Sequence, residues 1–205
     1  MNLYWQRSDG TGQVQRLTEA PRVHWPTSWH PNGRILAFGE ADLEARTQSI
    51  MMLSLEGDEA AGWRPARPKM FLKDADHGMF SPDGHWLAYV ARKTPARPET
   101  EVYVQSFPGP GGPWQISAGG GTDPVWSLTR HELLFGTPDH RIMAASYSAS
   151  GASFHADKPH LLSDARFDPR SMGRSFDLHP DGERFVLAKG QRTRRPTRIA
   201  PTTSP

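Results

Sequence analysis

The chain of 205 residues has 24 basic and 22 acidic side chains, so its net charge of +2 lacks the excess typical of a polyanion-binding surface. It contains no cysteine, which excludes disulfides and cysteine-based metal sites or nucleophiles. Seven Trp, four Tyr and nine Phe can fill one core, and 19 Gly and 19 Pro favour a structure rich in turns.

The first predicted elements are two short β-prone runs, Leu3 to Arg7 and Val14 to Leu17, separated by the turn-forming residues 8–12. No apolar signal-peptide core lies in this segment, and no apolar run of about 18 residues occurs elsewhere. We therefore expect no membrane span and, for the chain as encoded, a cytoplasmic location.

A repeated phrase follows: an aromatic residue or leucine, a polar residue, a Pro-Asp-Gly-type turn and a short apolar run. The copies are SWHPNGRILAF from Ser28, MFSPDGHWLAYV from Met79, VWSLTRHELLF from Val125 and DLHPDGERFVLA from Asp177. Their spacings of 51, 46 and 52 residues indicate a repeated supersecondary unit. Each turn is expected to close a hairpin, because Pro presets φ and Gly accepts a positive φ.

Each full unit contains four β-prone runs, which in the second unit lie at 77–81, 85–91, 101–107 and 114–117. The run 85–91 carries apolar groups on both faces, as expected for a strand between two sheets. Four antiparallel strands in about 48 residues predict one blade of a β-propeller. The other units are predicted at 25–29, 34–39, 48–55 and 68–72, and at 122–127, 131–136, 140–147 and 158–163.

The two ends of the chain are incomplete in complementary ways. Residues 2–18 match the third and fourth strands of a blade, whereas residues 173–188 match the first and second. The predicted fold class is therefore all-β, a propeller of four-stranded antiparallel blades with three complete blades and a half-blade at each terminus. The halves either close as a fourth blade or leave an open arc of a larger propeller.

The predicted propeller occupies residues 1–190 as a single domain. The remaining residues, 191–205, are rich in Arg, Pro and Thr and almost free of apolar side chains, which predicts a disordered basic tail. The aromatic or leucine position of the repeat is expected to pack between blades and not to form a binding platform. Its four occupants are Trp29, Phe80, Trp126 and Leu178.

The phrases FSPDGHWLAYV from Phe80, EVYVQSFPGPGGPWQIS from Glu101 and GGGTDPVWS from Gly119 resemble the TolB-like, WD40-like β-propeller repeats of bacteria. The resemblance covers about residues 1–190 and is greatest to the C-terminal part of propellers found alone or attached to serine/threonine protein kinases. It implies a scaffold that binds a protein or small ligand, a sensor or interaction module. TolB-like relatives are often periplasmic or extracytoplasmic.

Motifs for catalysis are missing from the sequence. The kinase glycine-rich loop, the His-Arg-Asp and Asp-Phe-Gly triplets and the Gly-x-Ser-x-Gly elbow do not occur. The glycine-rich stretches 109–112 and 119–121 lack the Lys-Ser/Thr pair of a phosphate-binding loop. We therefore expect no enzyme and no cofactor, and we interpret both stretches as connections between strands.

A propeller enzyme or metalloprotein acting at the channel mouth is the alternative. Four residues lie near the starts of predicted innermost strands, where the blades converge, and imidazoles and carboxylates there can hold Zn or Mn. They are His24, Asp76, His77 and Asp123. The spacing offers no sequence-local ligand pair, so these four are only weak metal candidates.

The longest charged connections, residues 56–67 and 92–100, are the first places expected to contact a partner. The candidate partner-binding residues are Arg92, Lys93, Arg97 and Glu99. The partner is a protein or a small ligand of open identity, and no specific nucleic-acid partner is expected. Self-association through open blade edges, and a fragment of a larger kinase-linked propeller, are further interpretations.

Overall fold

The computed structural model describes residues 1–58, 62–92, 99–168 and 174–189. These ranges contain β-strands and no α-helix, so nothing in them forms a helix long and apolar enough to cross a membrane. In chain order the strands are β1 (Tyr4–Trp5), β2 (Gln15–Arg16), β3 (Val23–Trp29), β4 (Ile35–Asp42), β5 (Thr47–Glu56), β6 (Arg64–Pro65), β7 (Lys69–Lys73), β8 (Ala75–Phe80), β9 (Trp86–Arg92), β10 (Thr100–Ser106), β11 (Trp114–Gln115), β12 (Thr122–Trp126), β13 (Glu132–Gly136), β14 (Ile142–Ser150), β15 (Ser153–Ala156), β16 (His160–Ser163), β17 (Phe176–Leu178) and β18 (Phe185–Leu187).

Three antiparallel sheets form the predicted blades. From the innermost strand outward their orders are β3-β4-β5-β7, β8-β9-β10-β11 and β12-β13-β14-β16. The strand β8 contacts both β3 and β12, so the first strands of the three units lie side by side at the centre. The all-β propeller predicted from the repeat is confirmed.

Two short strands were not predicted. The third strands of the first and third blades are long, with ten residues in β5 and nine in β14. Their far ends pair with β6 at Leu55 and Pro65, and with β15 at Ser150 and Ser153. Both additions lie in turn-rich segments with few apolar residues, where the strand pattern is weak.

The terminal hairpins do not share a sheet. Among the described residues, β1 pairs with β2 and β17 pairs with β18 as two separate two-stranded sheets. The N-terminal hairpin packs on the first blade through Leu3 and Leu17, and the C-terminal hairpin packs on the third through Phe176. Of the two predicted alternatives, the described chain therefore takes the open arc.

The repeat position that holds an aromatic residue or leucine packs between blades in three of its four copies. Phe80 and Trp126 are 5% and 3% exposed, and Leu178 packs against the core of the third blade. Trp29 is 45% exposed, so the prediction is wrong for this copy. The reason is that the preceding hairpin, β1–β2, matches only the outer strands of a blade, and no inner strand of the described residues covers the indole.

The repeated turns are closed by hydrogen bonds from their acidic or amide residue. The Oδ1 atoms of Asn32, Asp83 and Asp181 each accept the backbone N–H two residues further on, at 2.9, 3.0 and 2.9 Å. The imidazoles of His30 and His179 accept N–H groups of the same turns, so both histidines act as turn residues. These hydrogen bonds form Asx-type turns, which the Pro-Asp-Gly pattern predicts.

The turn carboxylate of Asp181 is expected to make stability depend on acid pH. The backbone N–H of Glu183 and then the guanidinium of Arg184 hold the pKa of Asp181 well below its usual 3.8. A lowered folded-state pKa stabilises the fold above the unfolded value, and this contribution is lost as the pH falls below about 4. Asp181→Asn is therefore expected to show a smaller drop in Tm between pH 6 and pH 3 than the parent chain. The exposed Asp164→Asn serves as control, and an unchanged pH dependence in Asp181→Asn would contradict the argument.

Candidate functional site

The three inner strands are irregular at the same place. Their pairing shifts register at residues 26–28 in β3, 76–79 in β8 and 122–125 in β12. Such bulges turn side chains away from the regular pleat and are common next to functional sites. Aligning the repeats puts one residue of each unit at this point: Pro26, His77, Asp123 and Ser175.

A cavity of about 640 Å³ lies at this end of the inner strands, which we call the channel mouth. Its walls come from all three inner strands and from the segment before β17. The residues preceding the bulge position in each unit all line the cavity: Trp25, Asp76, Thr122 and Arg174. The propeller repeat thus brings four chemically different side chains together at one opening.

The imidazole of His77 lies between two carboxylates. Its Nδ1 is 3.4 Å from Asp76 Oδ2, and its Nε2 is 3.5 Å from Asp123 Oδ1. The Nδ1 contact lies within ion-pair distance but lacks hydrogen-bond geometry, so this buried nitrogen has no hydrogen-bond partner. A buried polar atom without such a partner is uncommon and points to a functional or strained position.

Other groups hold the two carboxylates in place. Asp76 Oδ1 accepts the backbone N–H of His77 at 2.6 Å and the indole N–H of Trp25 at 3.2 Å. Asp123 Oδ2 accepts the backbone N–H of Ser175 at 3.3 Å. The side chains of Asp76 and Asp123 are only 15% and 4% exposed. The two charges are therefore pre-positioned and largely shielded from water.

The backbone of this cluster is strained. His77 and Asp123 have φ of 55° and 49°, in the left-handed region that residues with a Cβ seldom adopt. Each such residue costs about 1–3 kcal/mol and persists only where the surrounding structure enforces it. With His140, at φ of 67°, three such residues line this opening.

A close approach between two strands places the Trp25 indole. Gly39 on β4 lies opposite Trp25 in the register, and a Cβ there would come within 2.1 Å of the indole ring. Only glycine leaves this space free. The indole can therefore lie across β4 and direct its N–H to Asp76.

The electrostatic balance at the mouth is acidic. Among the described residues, Asp76, Asp123 and Glu99 line it, together with a single guanidinium from Arg174. That guanidinium already lies 3.4 Å from Asp177, so its charge is partly compensated outside the cluster. Neighbouring carboxylates of low exposure favour a cation. The opening is thus suited to a positively charged group.

His24 does not join the other three metal candidates. It is 2% exposed, with Nδ1 2.8 Å from Thr18 Oγ1 and Nε2 3.0 Å from Glu40 Oε2. Thr18 Oγ1 also accepts the backbone N–H of Leu3, so this network fastens the N-terminal hairpin to the first blade. Among the described residues no group of three His, Asp or Glu side chains is arranged to hold a metal ion.

The predicted partner-binding residues do not lie together at one site. Glu99 lines the channel mouth, and the exposed Arg92 ends β9 and lines a second opening of about 540 Å³ beside Asp42 and Asp74. Lys93 and Arg97 lie outside the described residues. The prediction from sequence missed Trp25, Thr122 and Arg174, although aligning them with Asp76 across the four repeats would have identified them.

No protein-family model matches the chain, and no curated protein matches it. Among solved structures it is similar to TolB from Acinetobacter baumannii, with a TM-score of 0.53 and 16% identity over 88% of this chain and 41% of that one. It is also similar to a protein assigned as TolB from Agrobacterium tumefaciens, with a TM-score of 0.53 and 16% identity over 78% and 57%. The chain thus spans about half the length of these structures. With its repeated four-stranded antiparallel sheets, the chain has a TolB-like, WD40-like β-propeller fold.

Proposed function

We propose that this chain is a non-catalytic binding module whose channel mouth holds a ligand with a positively charged ammonium or guanidinium group. The observation that carries the proposal is the Asp76–His77–Asp123 cluster on the wall of a 640 Å³ cavity. The propeller fold supplies a rigid scaffold, and the likeness to TolB structures supports that scaffold role alone.

The chemistry of the cluster favours a cationic group over an anionic one. Each of the two carboxylates has one oxygen bound by an N–H donor, and the second oxygen faces the His77 imidazole at more than 3.3 Å. An ammonium donor is able to replace these long contacts with short charge-assisted bonds. The adjacent indole of Trp25 offers an aromatic face that adds a cation–π contribution.

Binding is favoured over catalysis by the neighbours of the imidazole. A hydrolytic site of the serine or cysteine type needs a hydroxyl or thiol hydrogen-bonded to a base. In the part of the chain that the structure describes, His77 contacts two carboxylates, and no hydroxyl is hydrogen-bonded to its ring. The alternative of a metal-dependent enzyme predicts stoichiometric Zn or Mn in the purified protein, which elemental analysis measures directly.

The proposal is tested by following the indole N–H signal of Trp25 by NMR, identified through its loss in Trp25→Phe. The probe is N-acetyl-Gly-Lys-Gly-amide, and the matched control ligand is its Glu analogue. We expect a saturable shift with the Lys peptide alone. Asp76→Asn and Asp123→Asn should each raise its Kd about tenfold, or about 1.4 kcal/mol. Asn suits the positive φ at position 123, so that variant keeps its backbone.

Asp164→Asn is the control variant, since this exposed carboxylate lies outside the mouth. It should bind the Lys peptide as the parent chain does. Equal binding of the Glu peptide, or unchanged Kd in both mouth variants, would contradict the proposal.

A further inference from the structure

The chain makes the same blade-to-blade contact three times. A residue on the second strand of one blade lies in the same apolar cluster as the aromatic or leucine position of the next unit, and both are buried or partly buried. The pairs are Ala37 with Phe80, Ala88 with Trp126 and Leu134 with Leu178, each within one apolar cluster. The second-strand residues are at most 1% exposed. The contact is therefore a fixed property of the repeat.

Two residues at the ends of the described arc occupy these repeat positions without a partner from a neighbouring blade among the described residues. Val186 in β18 is the repeat equivalent of Ala37, Ala88 and Leu134, and it is 67% exposed. Trp29 is the equivalent of Phe80 and Trp126, and it is 45% exposed. Within the described chain, no following unit covers Val186 and no preceding second strand covers Trp29. Val186 and Trp29 can therefore form the same kind of pair that Ala37 and Phe80 form within the chain.

The strand edges at the two ends are complementary as well. In each whole blade the second strand pairs with the third, as β9 does with β10. In the described chain, the C-terminal strand β18 corresponds to the second strand of a blade. The N-terminal strand β1 corresponds to the third strand of a blade. Among the described residues each has a partner on one edge only. Open edges of this kind favour pairing with another chain.

We infer that the C-terminal hairpin β17–β18 of one copy docks on the Trp29 and β1 surface of a second copy, completing a blade with two strands from each. The contact continues the interface already made between blades within the chain. The described residues of each copy hold the strands of four blades, because three are whole and the two halves add up to one. Two copies joined head to tail at both ends hold eight, within the usual range of about four to eight blades in a closed propeller.

The inference is tested by the mass of the full chain in solution, from light scattering after size exclusion over a range of concentrations. We expect twice the monomer mass of 22.9 kDa. Trp29→Asp and Val186→Asp should each give a monomer, because every contact in the closed pair uses both residues. Leu43→Asp, at a 73% exposed apolar residue on another surface, should leave the dimer intact.

Mixing the two monomeric variants separates this contact from non-specific association. One interface of the mixed pair then joins an intact Trp29 to an intact Val186, so a dimer should reappear, with a Kd at least tenfold weaker than that of the parent pair. A monomeric parent chain, or a dimer that survives both substitutions, would overturn the inference. A ladder of longer species would overturn the closed two-copy ring. None of these results depends on a ligand at the channel mouth.

Discussion

Replacing Trp126 by alanine is expected to destabilise the chain by about 3–5 kcal/mol, the usual cost of removing a buried aromatic side chain. Trp126 is 3% exposed and packs edge-on against Tyr147, with ring centroids 5.0 Å apart. Its indole N–H donates to the carbonyl of Met79 at 2.9 Å, so the change also leaves a carbonyl of β8 without this donor. Urea unfolding followed by far-UV circular dichroism measures the free energy directly.

The repeat provides a matched control for this measurement. Trp29 occupies the same position in the first unit, yet it is 45% exposed. Trp29→Ala should cost less than about 1 kcal/mol in the dissociated monomer, as most exposed substitutions do. Similar costs for the two variants would contradict the finding that Trp29 is not packed between blades in the described chain.

Glu101→Ala is expected to destabilise the chain by about 3 kcal/mol, because it removes an ionised acceptor from a buried network. Glu101 is 8% exposed, and its carboxylate accepts the hydroxyl of Ser117 and the N–H groups of Gly119 and Gly120. The Ser117 hydroxyl in turn accepts the N–H of Val102 at 2.8 Å. The network holds the glycine-rich segment 119–121 in place where it enters β12.

The conservative variant separates the hydrogen bonds from the charge. Glu101→Gln keeps a carbonyl oxygen for the two glycine N–H groups, so it should cost only about 1 kcal/mol. Because Gly120 and Gly121 line the channel mouth, Glu101→Ala should also weaken binding of the Lys peptide. Equal stability of the Ala and Gln variants would contradict a stabilising role for the hydrogen bonds to the two glycine N–H groups.

Most of the fold follows from short-range sequence patterns. The alternation of apolar residues in 85–91, followed by the turn chemistry of the loops, predicts strands that the structure has at β9 and its neighbours. The exposure of Trp29 could not be predicted from its repeat position alone. It depends on which strands the preceding half-blade lacks, a property of the whole arc.

Three of the four candidate residues from the sequence lie at the channel mouth, and the different position of His24 has a simple cause. Side chains on a strand alternate between its two faces, so neighbouring residues point to opposite faces of the sheet. His24 precedes Trp25, and it is Trp25 that aligns with Asp76 and lines the mouth. The bulges that turn His77 and Asp123 toward each other have no signature in a single sequence.

The most direct test of the central claim is the affinity of N-acetyl-Gly-Lys-Gly-amide for the double variant Asp76→Asn/Asp123→Asn, measured by calorimetry beside the parent chain. The account predicts measurable binding to the parent chain and a loss of about a hundredfold in the double variant, since two charge-assisted contacts are removed. The parent affinity should also fall as salt is raised. Undiminished affinity in the double variant would contradict a cation-binding channel mouth.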